Sequence, residues 1–351
     1  AGEVRRLVLV LPFSSHRCLA DALTTALLAG TVSTLPDGFT ARRLSLSPGQ
    51  FPDGTDVDLA QQVIRAAETV VLGASHMPRE TVRSLLSSPE TLREESLLVF
   101  DSMGKVCGLS FLQWETGART TFVNVYVVPE VSAALLPHLV ESAVGATARL
   151  AERPWQIEAS AFEDDHLLKE VLAVAGFTGV RRFWRMRIDF EDHAPDGTLA
   201  TPRGASIRVV DGDADRRLLH ELFERSFRDH FGFVPRPFED WIGWFDARGD
   251  ARPDLQWIAE LDGEPVGLCL VDDSRIEEGL AYVRTLGVVP EARGRGMARW
   301  LLAEAFAHAR GEGRHGAALA VDSDNVTGAT RLYESLGMRA YQVIDLFHRP
   351  L

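Results

Sequence analysis

The stretch Leu286–Leu302, LGVVPEARGRGMARWLL, decides the fold of this chain of 351 residues. It begins as an apolar run typical of a buried strand, and it ends with the residue spacing of an amphipathic helix that continues to Arg310. Between them lies a turn that contains Gly294 and Gly296. Such a turn leaves backbone N–H groups exposed at the helix N-terminus, where phosphate binds. The sequence therefore predicts a phosphate-binding turn; the alternative is a tight turn that happens to contain two glycines.

The residues of this turn narrow the kind of phosphate site. Gly294 and Gly296 allow the backbone to approach a pyrophosphate without an intervening Cβ, and Arg293 and Arg295 can add positive charge. The third glycine of a dinucleotide-binding fingerprint is absent from the sequence, as is the Gly-Lys-Ser/Thr of a Walker loop. The turn therefore belongs to neither of these two classes of nucleotide site.

The surroundings of the turn occur twice in the chain. The tetrapeptide VVPE is found at Val127–Glu130 and again at Val288–Glu291, 161 positions later. Each copy ends a strand-like run and precedes a helical pattern. A hairpin pattern lies before each copy, with Gly104 in the first turn and Asp262-Gly263 in the second. An offset shared by several elements predicts two similar domains in tandem.

Each repeat has the order strand, helix, hairpin, long strand, helix, strand, helix, strand. This order mixes antiparallel hairpins with one parallel crossover. We therefore predict an α/β fold of the α+β kind, with two domains that each have a mixed, mostly antiparallel sheet flanked by helices. The predicted division is an N-terminal strand–helix extension over 1–37, a first domain over 38–190, a Pro- and Gly-rich linker over 191–204 and a second domain over 205–351.

The second domain resembles the GNAT acyltransferase superfamily. The turn fits that family's acyl-CoA signature, R/Q-x-x-G-x-G/A, as Arg293-x-x-Gly296-x-Ala298. The later stretch VDSDNVTGATRLYESLGM has Asn325 and Tyr333 where the family has these residues. The resemblance is strong over residues 205–348 and weaker over residues 38–190, where the chain resembles a degenerate copy. It implies a GNAT protein of the tandem, two-domain type.

The resemblance implies a co-substrate and a reaction. The co-substrate is acetyl-CoA or another acyl-CoA, with no metal, and the acyl group passes to a primary amine of a small molecule by direct attack in a ternary complex. The long strand is expected to separate from its neighbour and to pair with the pantetheine arm. The residues implied to bind the cofactor are Leu286, Gly287, Val288, Arg293, Gly294, Arg295, Gly296, Met297, Ala298 and Asn325.

Two polar residues near the last helix have implied roles. Tyr333 is the candidate general acid, because phenol and thiol pKa values are close enough for proton transfer to the departing thiolate. The alternative is a tyrosine that only packs on this helix, predicted over 326–336. Asn325 is implied to bind the pantetheine arm, and the alternative is an N-cap of the same helix.

The identity of the general base is left open by the sequence. Many family members place a glutamate on the long strand, whereas Leu280–Thr285 contains no acid and Tyr282 stands at that position. Glu277, Glu278 and Asp322 remain candidates. Their alternatives are a solvated turn for the two glutamates and a strand end for Asp322.

An aromatic segment, SFRDHFGFVPRPFEDWIGWF, lies between the first two helices of the second domain. Family members often shape the acceptor pocket in this region. We expect Asp229 and His230, together with Tyr282 on the long strand, to contact the acceptor. The alternative for this segment is a helix–loop–helix that buries its rings in the core.

The offset of 161 also predicts a single acyl-CoA site per chain. It maps Arg293–Ala298 onto Ser132–Pro137, which contains neither glycine nor arginine and ends in a residue without an N–H. It maps Tyr333 onto Leu172. The first domain is therefore expected to keep the fold and to lack the phosphate turn and the general acid.

Composition excludes several classes of function. The net charge of −13 disfavours nucleic acid as a partner, and no apolar run reaches the roughly 18 residues of a membrane span. Ten histidines and the scattered Cys18, Cys107 and Cys269 show neither metal-ligand spacing nor a disulfide framework. We expect no membrane segment, a reducing cytoplasmic location, and a monomer or homodimer. The apolar start, LVLVLPF, favours a buried strand before a helix at 19–28 over a signal peptide.

Two alternatives to acetyl transfer remain open at this point. One is transfer of a longer acyl chain in antibiotic or other secondary metabolism. The other is an acyl-CoA-binding sensor without turnover.

Overall fold

The computed structural model describes residues 35–45, 55–75, 77–115, 120–150, 156–192, 200–246, 251–325 and 327–351, except for the side chains of Glu115, Trp244 and Phe245. The predicted extension over 1–37 lies almost entirely outside these residues. So does the middle of the predicted linker over 191–204.

Helices and strands alternate in the described residues much as the repeat predicted. The helices are α1 (Asp56–Leu72), α2 (Arg79–Ser87), α3 (Ser132–Ala148), α4 (His166–Val174), α5 (Gly212–Phe227), α6 (Phe238–Asp246), α7 (Met297–Gly311) and α8 (Ala329–Glu334). The strands are β1 (Thr40–Arg43), β2 (Leu97–Phe100), β3 (Val106–Glu115), β4 (Thr120–Val127), β5 (Gln156–Phe162), β6 (Thr178–Asp189), β7 (Ala205–Val209), β8 (Ala251–Leu261), β9 (Glu264–Asp272), β10 (Leu280–Val288), β11 (Gly316–Asp322) and β12 (Arg339–Pro350).

Two units of similar architecture make up the described chain. The first unit contains the described residues between Leu9 and Arg182 together with Val343–Leu351, and the second contains Phe183–Gln342. This division differs from the predicted boundaries, because β6 ends in the second unit and β12 ends in the first. The sequence could not show this exchange, since the two final strands have equivalent positions in the two repeats.

The first unit has the strand order β1-β2-β3-β4-β5-β12. Its pairs are antiparallel except for β4 with β5, which are parallel. Helices α1 and α3 pack on β3 and β4, and the core between them includes the fully buried side chains of Ile64, Phe111 and Leu136.

The second unit repeats this plan with the order β6-β11-β10-β9-β8-β7. Its pairs are again antiparallel except for one parallel pair, β10 with β11. The predicted hairpin turn between β8 and β9 is present, with Asp262 at a φ of 55° and Gly263 at 85°. Two successive residues with positive φ are the signature of the turn that an Asp-Gly pair favours. The predicted mixed, mostly antiparallel sheets flanked by helices are confirmed.

One helical segment of the first unit, Pro129–Ala148, is long and apolar enough to cross a membrane by length and composition. About 56% of it is buried inside the protein, where α3 packs against β3 and β4. A core helix of a globular protein meets the same two criteria.

Both described cysteines are buried and free. Burial raises the pKa of the Cys107 thiol to about 11 and that of Cys269 to about 12. Thiols with such pKa values are not reactive nucleophiles at neutral pH. Cys18 lies outside the described residues.

Candidate active site

The second unit contains a cleft where its two parallel strands separate. Leu280–Tyr282 on β10 pairs with Gly316–Ala318 on β11, and the ladder goes no further in these two fully described strands. Beyond this point β10 stays paired with β9 as far as Val288, and β11 stays paired with β6 as far as Asp322. The two strands thus diverge towards their C-terminal ends. This is the separation that the resemblance led us to expect.

The cleft has a volume of about 340 Å³ and is lined by β10, β11, the N-terminus of α7, the end of α5 and the segment leading into α8. Its size and its mixture of apolar walls with a few polar groups are typical of a site for a small molecule or cofactor. The predicted site residues that line it are His230, Tyr282, Leu286, Gly287, Val288, Arg293, Gly294, Gly296, Met297, Ala298, Asn325 and Tyr333. Arg295 and Asp229 are not part of this lining.

The glycine-bearing turn has the geometry that its glycines require. Gly294 and Gly296 have φ values of 74° and 82°, in the left-handed region that side chains other than glycine rarely adopt. A Cβ added at either position would have no atom within 4 Å. Gly296 is the N-cap of α7 and supplies no side-chain acceptor to the first turn of the helix. Open space therefore lies beside a helix N-terminus, which suits a phosphate group.

The two arginines of the turn have different surroundings. The Arg293 guanidinium donates to the carbonyl oxygen of Val288 at 3.1 Å and to that of Ser226 at 3.0 Å, so it ties the end of β10 to α5. Arg295 is half exposed and lies 3.6 Å from the Asp262 carboxylate. Arg293 therefore shapes the turn. Arg295 lies outside the cleft lining, although the sequence analysis named it among the cofactor-binding residues.

Gly287 lets β10 pass close to α5. A Cβ there would lie 2.7 Å from the side chain of Leu268, 2.9 Å from that of Ser226 and 3.0 Å from that of Phe227. Contacts this short do not occur between real Cβ atoms and their neighbours, so a larger residue would force these elements apart.

The segment leading into α8 corrects one interpretation of the sequence. Helix α8 is shorter than the predicted helix over 326–336, and its N-cap is Gly328, with a φ of 77°. The N-cap interpretation of Asn325 is therefore wrong, because a left-handed residue intervenes before the helix begins. The Asn325 side chain accepts the N–H of Thr327 at 2.8 Å and lines the cleft. Tyr333 is 8% exposed, packs in the core of the second unit and also lines the cleft.

The aromatic segment serves mainly as core. The Phe223 ring lies 4.9 Å from that of Phe227 and 5.8 Å from that of Trp241. His230 packs on Phe227 at 4.8 Å and reaches the cleft. Asp229 is exposed. Of the two residues of this segment that we expected to contact the acceptor, the structure brings only His230 to the cleft.

The three candidate bases differ in where they lie relative to the cleft. Glu277 is exposed on a short 3₁₀ helix, and Glu278 pairs with Arg275 at 2.6 Å; neither lines the cleft. Asp322 is 5% exposed and is the one carboxylate in the cleft lining among the described residues.

A buried ion pair beside Tyr282 was not expected from the sequence. The Arg284 Nε donates to the Asp272 carboxylate at 2.6 Å, and both side chains are 7% exposed. The guanidinium also lies 4.5 Å over the Tyr282 ring and donates to the Ser274 hydroxyl at 3.0 Å. An arginine within the apolar run LAYVRTLGVV was the available signal, because a buried arginine needs a partner.

The structure also groups three potential metal ligands that no sequence spacing indicated. Ligand atoms of Asp254, His308 and Glu312 lie within 4.8 Å of one another, and all three residues are exposed. Arg252 bonds to both carboxylates at 2.7 Å. The group therefore forms an ion-pair network around a guanidinium.

Family comparison identifies the second half of the chain. The sequence model of the Acetyltransferase (GNAT) family matches residues 216–338. Residues 216–338 form a GNAT acetyltransferase domain. This GNAT domain includes the glycine-bearing turn, both separated strands and Tyr333, so the family assignment and the cleft coincide in the chain.

A mycothiol acetyltransferase from Thermobispora bispora is 33% identical to this chain over 183 residues. The alignment covers 50% of this chain and 59% of that relative, so the chain spans less than two thirds of the relative's length.

Solved structures resemble about nine tenths of the chain. A GCN5-related N-acetyltransferase from Sphaerobacter thermophilus has a TM-score of 0.74 and 26% identity, and the match covers 90% of this chain and 97% of that one. A tandem GNAT protein from the clavulanic acid biosynthesis pathway has a TM-score of 0.66 and 19% identity, with coverage of 89% and 98%. The second comparison concerns the fold alone. The predicted tandem GNAT type is confirmed.

Proposed function

We propose that this chain is an acyl-CoA-dependent N-acyltransferase that transfers an acetyl group from acetyl-CoA to a primary amine of a small molecule. The observation that carries the proposal is the cleft between β10 and β11, which opens at the glycine-bearing N-terminus of α7. A ligand with a pyrophosphate at one end and an extended arm fits such a cleft. The relatives named above support acetyl transfer.

The described residues suit acyl-CoA on three counts. The left-handed Gly294 and Gly296 leave open space at the start of α7 for the pyrophosphate. Leu286–Val288 has no partner strand on its β11 side and is proposed to pair with the amides of the arm. Asn325 lines the opposite wall and is proposed to bond the same arm. The thioester then supplies an activated acyl carbon.

In the proposed reaction the amine attacks the thioester carbon directly in a ternary complex. The C–N bond forms, and the C–S bond breaks with its electron pair on sulfur. Tyr333 is proposed to donate a proton to this thiolate. The proton that the new amide nitrogen loses returns to the phenolate, so the reaction releases the one proton that the acceptor ammonium gives up before attack.

Asp322 is the proposed acceptor of that first proton. It is the carboxylate of the cleft lining, and general bases of this type contribute 10²–10⁴-fold to rates. Asp322→Asn should lower kcat by about 100-fold at neutral pH, with a smaller loss at higher pH, where the free amine is more abundant. The matched control is Asp324→Asn, an exposed acid two residues later that lies outside the lining. Equal kcat values for Asp322→Asn and wild type across the pH range would contradict this role.

The experiment that tests the proposed function is thiol release from acetyl-CoA in the presence of an aminosugar, an amino-acid amide and an alkyl diamine. We expect release that depends on one or more of these amines. CoA binding without amine-dependent release across this panel would instead support the sensor. The name of the relative from Thermobispora bispora makes amines of the mycothiol type the first extension of the panel.

We also propose a reducing, cytoplasmic location and a monomer or homodimer that needs no metal, nucleic acid or membrane. The buried thiols of Cys107 and Cys269 support the first part. Native mass spectrometry would distinguish the two oligomeric states.

A further inference from the structure

The two sides of the cleft differ in character. Side chains alternate along a strand, so each strand presents one set of residues to α5 and another to α7. Gly287 faces α5, since its Cβ would meet Ser226 and Phe227. Gly267 on β9 faces α7, since its Cβ would lie 3.5 Å from Leu301. We call these the α5 side and the α7 side.

Tyr282 stands on the α5 side at the closed end of the cleft. It pairs with Asp272, which shares a face of β9 with Leu268, the partner of Gly287; the irregularity in the register restores this face despite the odd spacing along β10. Tyr282 belongs to the last parallel pair before β10 and β11 separate, opposite Ala318. It packs with Leu280 and Ala318 in a small cluster of buried residues, is 7% exposed, and lines the cleft. An arm that starts at α7 and runs inward along β10 therefore brings its reactive end towards the Tyr282 ring.

The facing strand β11 presents small side chains beside this ring. Ala318 and Ala320 stand on the same side of β11 as the ring, because Ala318 contacts it and residues two apart share a face. Two methyl groups fill little of the gap between the diverging strands. The Tyr282 ring is thus a bulky group at the closed end on this side.

Arg284 holds the ring in place. An irregularity in the β9–β10 register occurs at this residue, and the guanidinium lies over the ring at 4.5 Å. Asp272 and Ser274 fix the guanidinium through hydrogen bonds of 2.6 Å and 3.0 Å. A ring packed between Ala318 and an anchored guanidinium cannot rotate aside without breaking these contacts.

We propose that Tyr282, held by Arg284 and Asp272, is the stop that limits the length of the acyl chain and selects acetyl over longer donors. This proposal rests on the proposed acyl-CoA-dependent transfer. The chain of a longer donor would extend from the thioester into the space that the ring occupies. The ring therefore sets a specificity that the phosphate turn cannot set, because the turn binds the part that all acyl-CoA donors share.

The experiment compares acetyl-, butyryl- and octanoyl-CoA as donors for wild type, Tyr282→Ala, Tyr282→Leu and Tyr282→Phe, with the amine that the panel identifies. A single methylene changes kcat/KM by 10–200-fold in a restrictive pocket. We expect the octanoyl-to-acetyl ratio of kcat/KM to rise at least about tenfold in Tyr282→Ala, less in Tyr282→Leu, and to stay unchanged in Tyr282→Phe, which keeps the ring.

The matched control is Trp257→Ala, which removes another buried ring of the same unit that lies outside the cleft lining. It should leave the donor ratio unchanged. An unchanged ratio in Tyr282→Ala and Tyr282→Leu, with acetyl transfer retained, would overturn the stop, as would a wild type that uses octanoyl-CoA as well as acetyl-CoA. Absence of turnover with every donor in wild type would instead count against the proposed function.

If Tyr282→Ala fails to fold, Tyr282→Leu carries the test alone, and calorimetry with CoA checks that its phosphate turn is intact. A Tyr282→Leu variant that binds CoA like wild type and has the wild-type donor ratio also overturns the proposal.

Discussion

At Gly296 the chain enters α7 in a conformation that few residues other than glycine adopt. Its φ is 82°, and no atom lies within 4 Å of the place where a Cβ would stand. In the free protein, the backbone conformation requires glycine at this position. In a complex with the cofactor, close approach of the pyrophosphate would be a second reason for glycine. The two effects can be separated by experiment.

Gly296→Val should weaken CoA binding by about 2 kcal/mol, roughly 30-fold, because a branched side chain disfavours the left-handed turn and fills the phosphate site. Isothermal titration with CoA measures this change. The matched control is Gly313→Val, since Gly313 follows α7, has a φ of 76° and also faces open space. Gly313→Val should lose stability without losing CoA affinity. Equal affinities for both variants would place the cofactor elsewhere.

Tyr333→Phe should lower kcat by about 100-fold and leave the KM for acetyl-CoA nearly unchanged, because it removes a proton donor that acts only as the thiolate leaves. Steady-state kinetics with the identified amine measures both constants. The control is Tyr341→Phe, whose buried hydroxyl has no hydrogen-bond partner among the described residues. A kcat for Tyr333→Phe close to that of wild type would leave Tyr333 as a packing residue.

Individual site residues differed in how far the sequence could predict them. Gly294, Gly296 and Tyr333 belong to a local pattern, and the structure brings all three to the cleft. The contact of Arg284 with Asp272 depends on strand register and on an irregularity at Arg284, neither of which a local pattern encodes. Arg295 is absent from the cleft lining and lies 3.6 Å from the Asp262 carboxylate, a position that a local pattern cannot encode.

At the scale of elements, the first unit has the same separation of two parallel strands, but buried side chains fill the space between them. Strands β4 and β5 pair from Thr120 to Val123 and then diverge, as β10 and β11 do. The space between them has a volume of about 10 Å³. Tyr126 takes the place of Gly287 in the repeat, is 1% exposed and lines this space together with Leu172. A buried ring thus occupies the position where the second unit has none.

Tyr126→Ala should lower the free energy of unfolding by about 3 kcal/mol or more, because it removes a large buried side chain. Urea denaturation measures the change, and Met103→Ala, an exposed site in the same unit, should alter it by less than about 0.5 kcal/mol. Titration with CoA should still give one site per chain, since the phosphate turn is absent from the first repeat. A second CoA site in Tyr126→Ala would show that the ring alone closes the first cleft.

The order and type of the elements could be largely predicted from the repeat, while their ends could not. Both hairpins have their turns at the glycines that predicted them, Gly104 and Gly263. Helix α8 begins only after Gly328, because a left-handed glycine ends the preceding turn. Helix α2 was not anticipated, since the repeat comparison assigned a single helix before each hairpin.

At the scale of the whole molecule, the boundary between the units follows strand pairing rather than the linker. Phe183–Asp189 on β6 pairs with β11, and Ile344–Pro350 on β12 pairs with β5. Lys169 and Arg182 bond the Asp345 carboxylate within the first unit. Two nearly equivalent final strands can complete either sheet, so the sequence pattern alone cannot decide which one each strand joins.

Cutting the chain at a protease site engineered into 191–204 should not release two independent domains. Each fragment would keep a strand that completes the sheet of the other unit. We expect the fragments to elute together in size-exclusion chromatography, to retain CoA binding and to separate only in denaturant. The uncut protein is the control. Fragments that elute separately, each with a cooperative unfolding transition, would contradict this expectation.

The exchange of final strands also limits how the gene for such a protein can be divided or recombined. A gene divided at the linker would specify two polypeptides that form an obligate heterodimer, because each carries a strand that completes the sheet of the other. Recombination that replaced one half would have to preserve that strand. A half expressed alone would expose the edge of β5 or β11, and unpaired sheet edges promote aggregation. An intact second sheet therefore needs the strand supplied by the first repeat, although that repeat lacks the glycine-bearing turn of its counterpart.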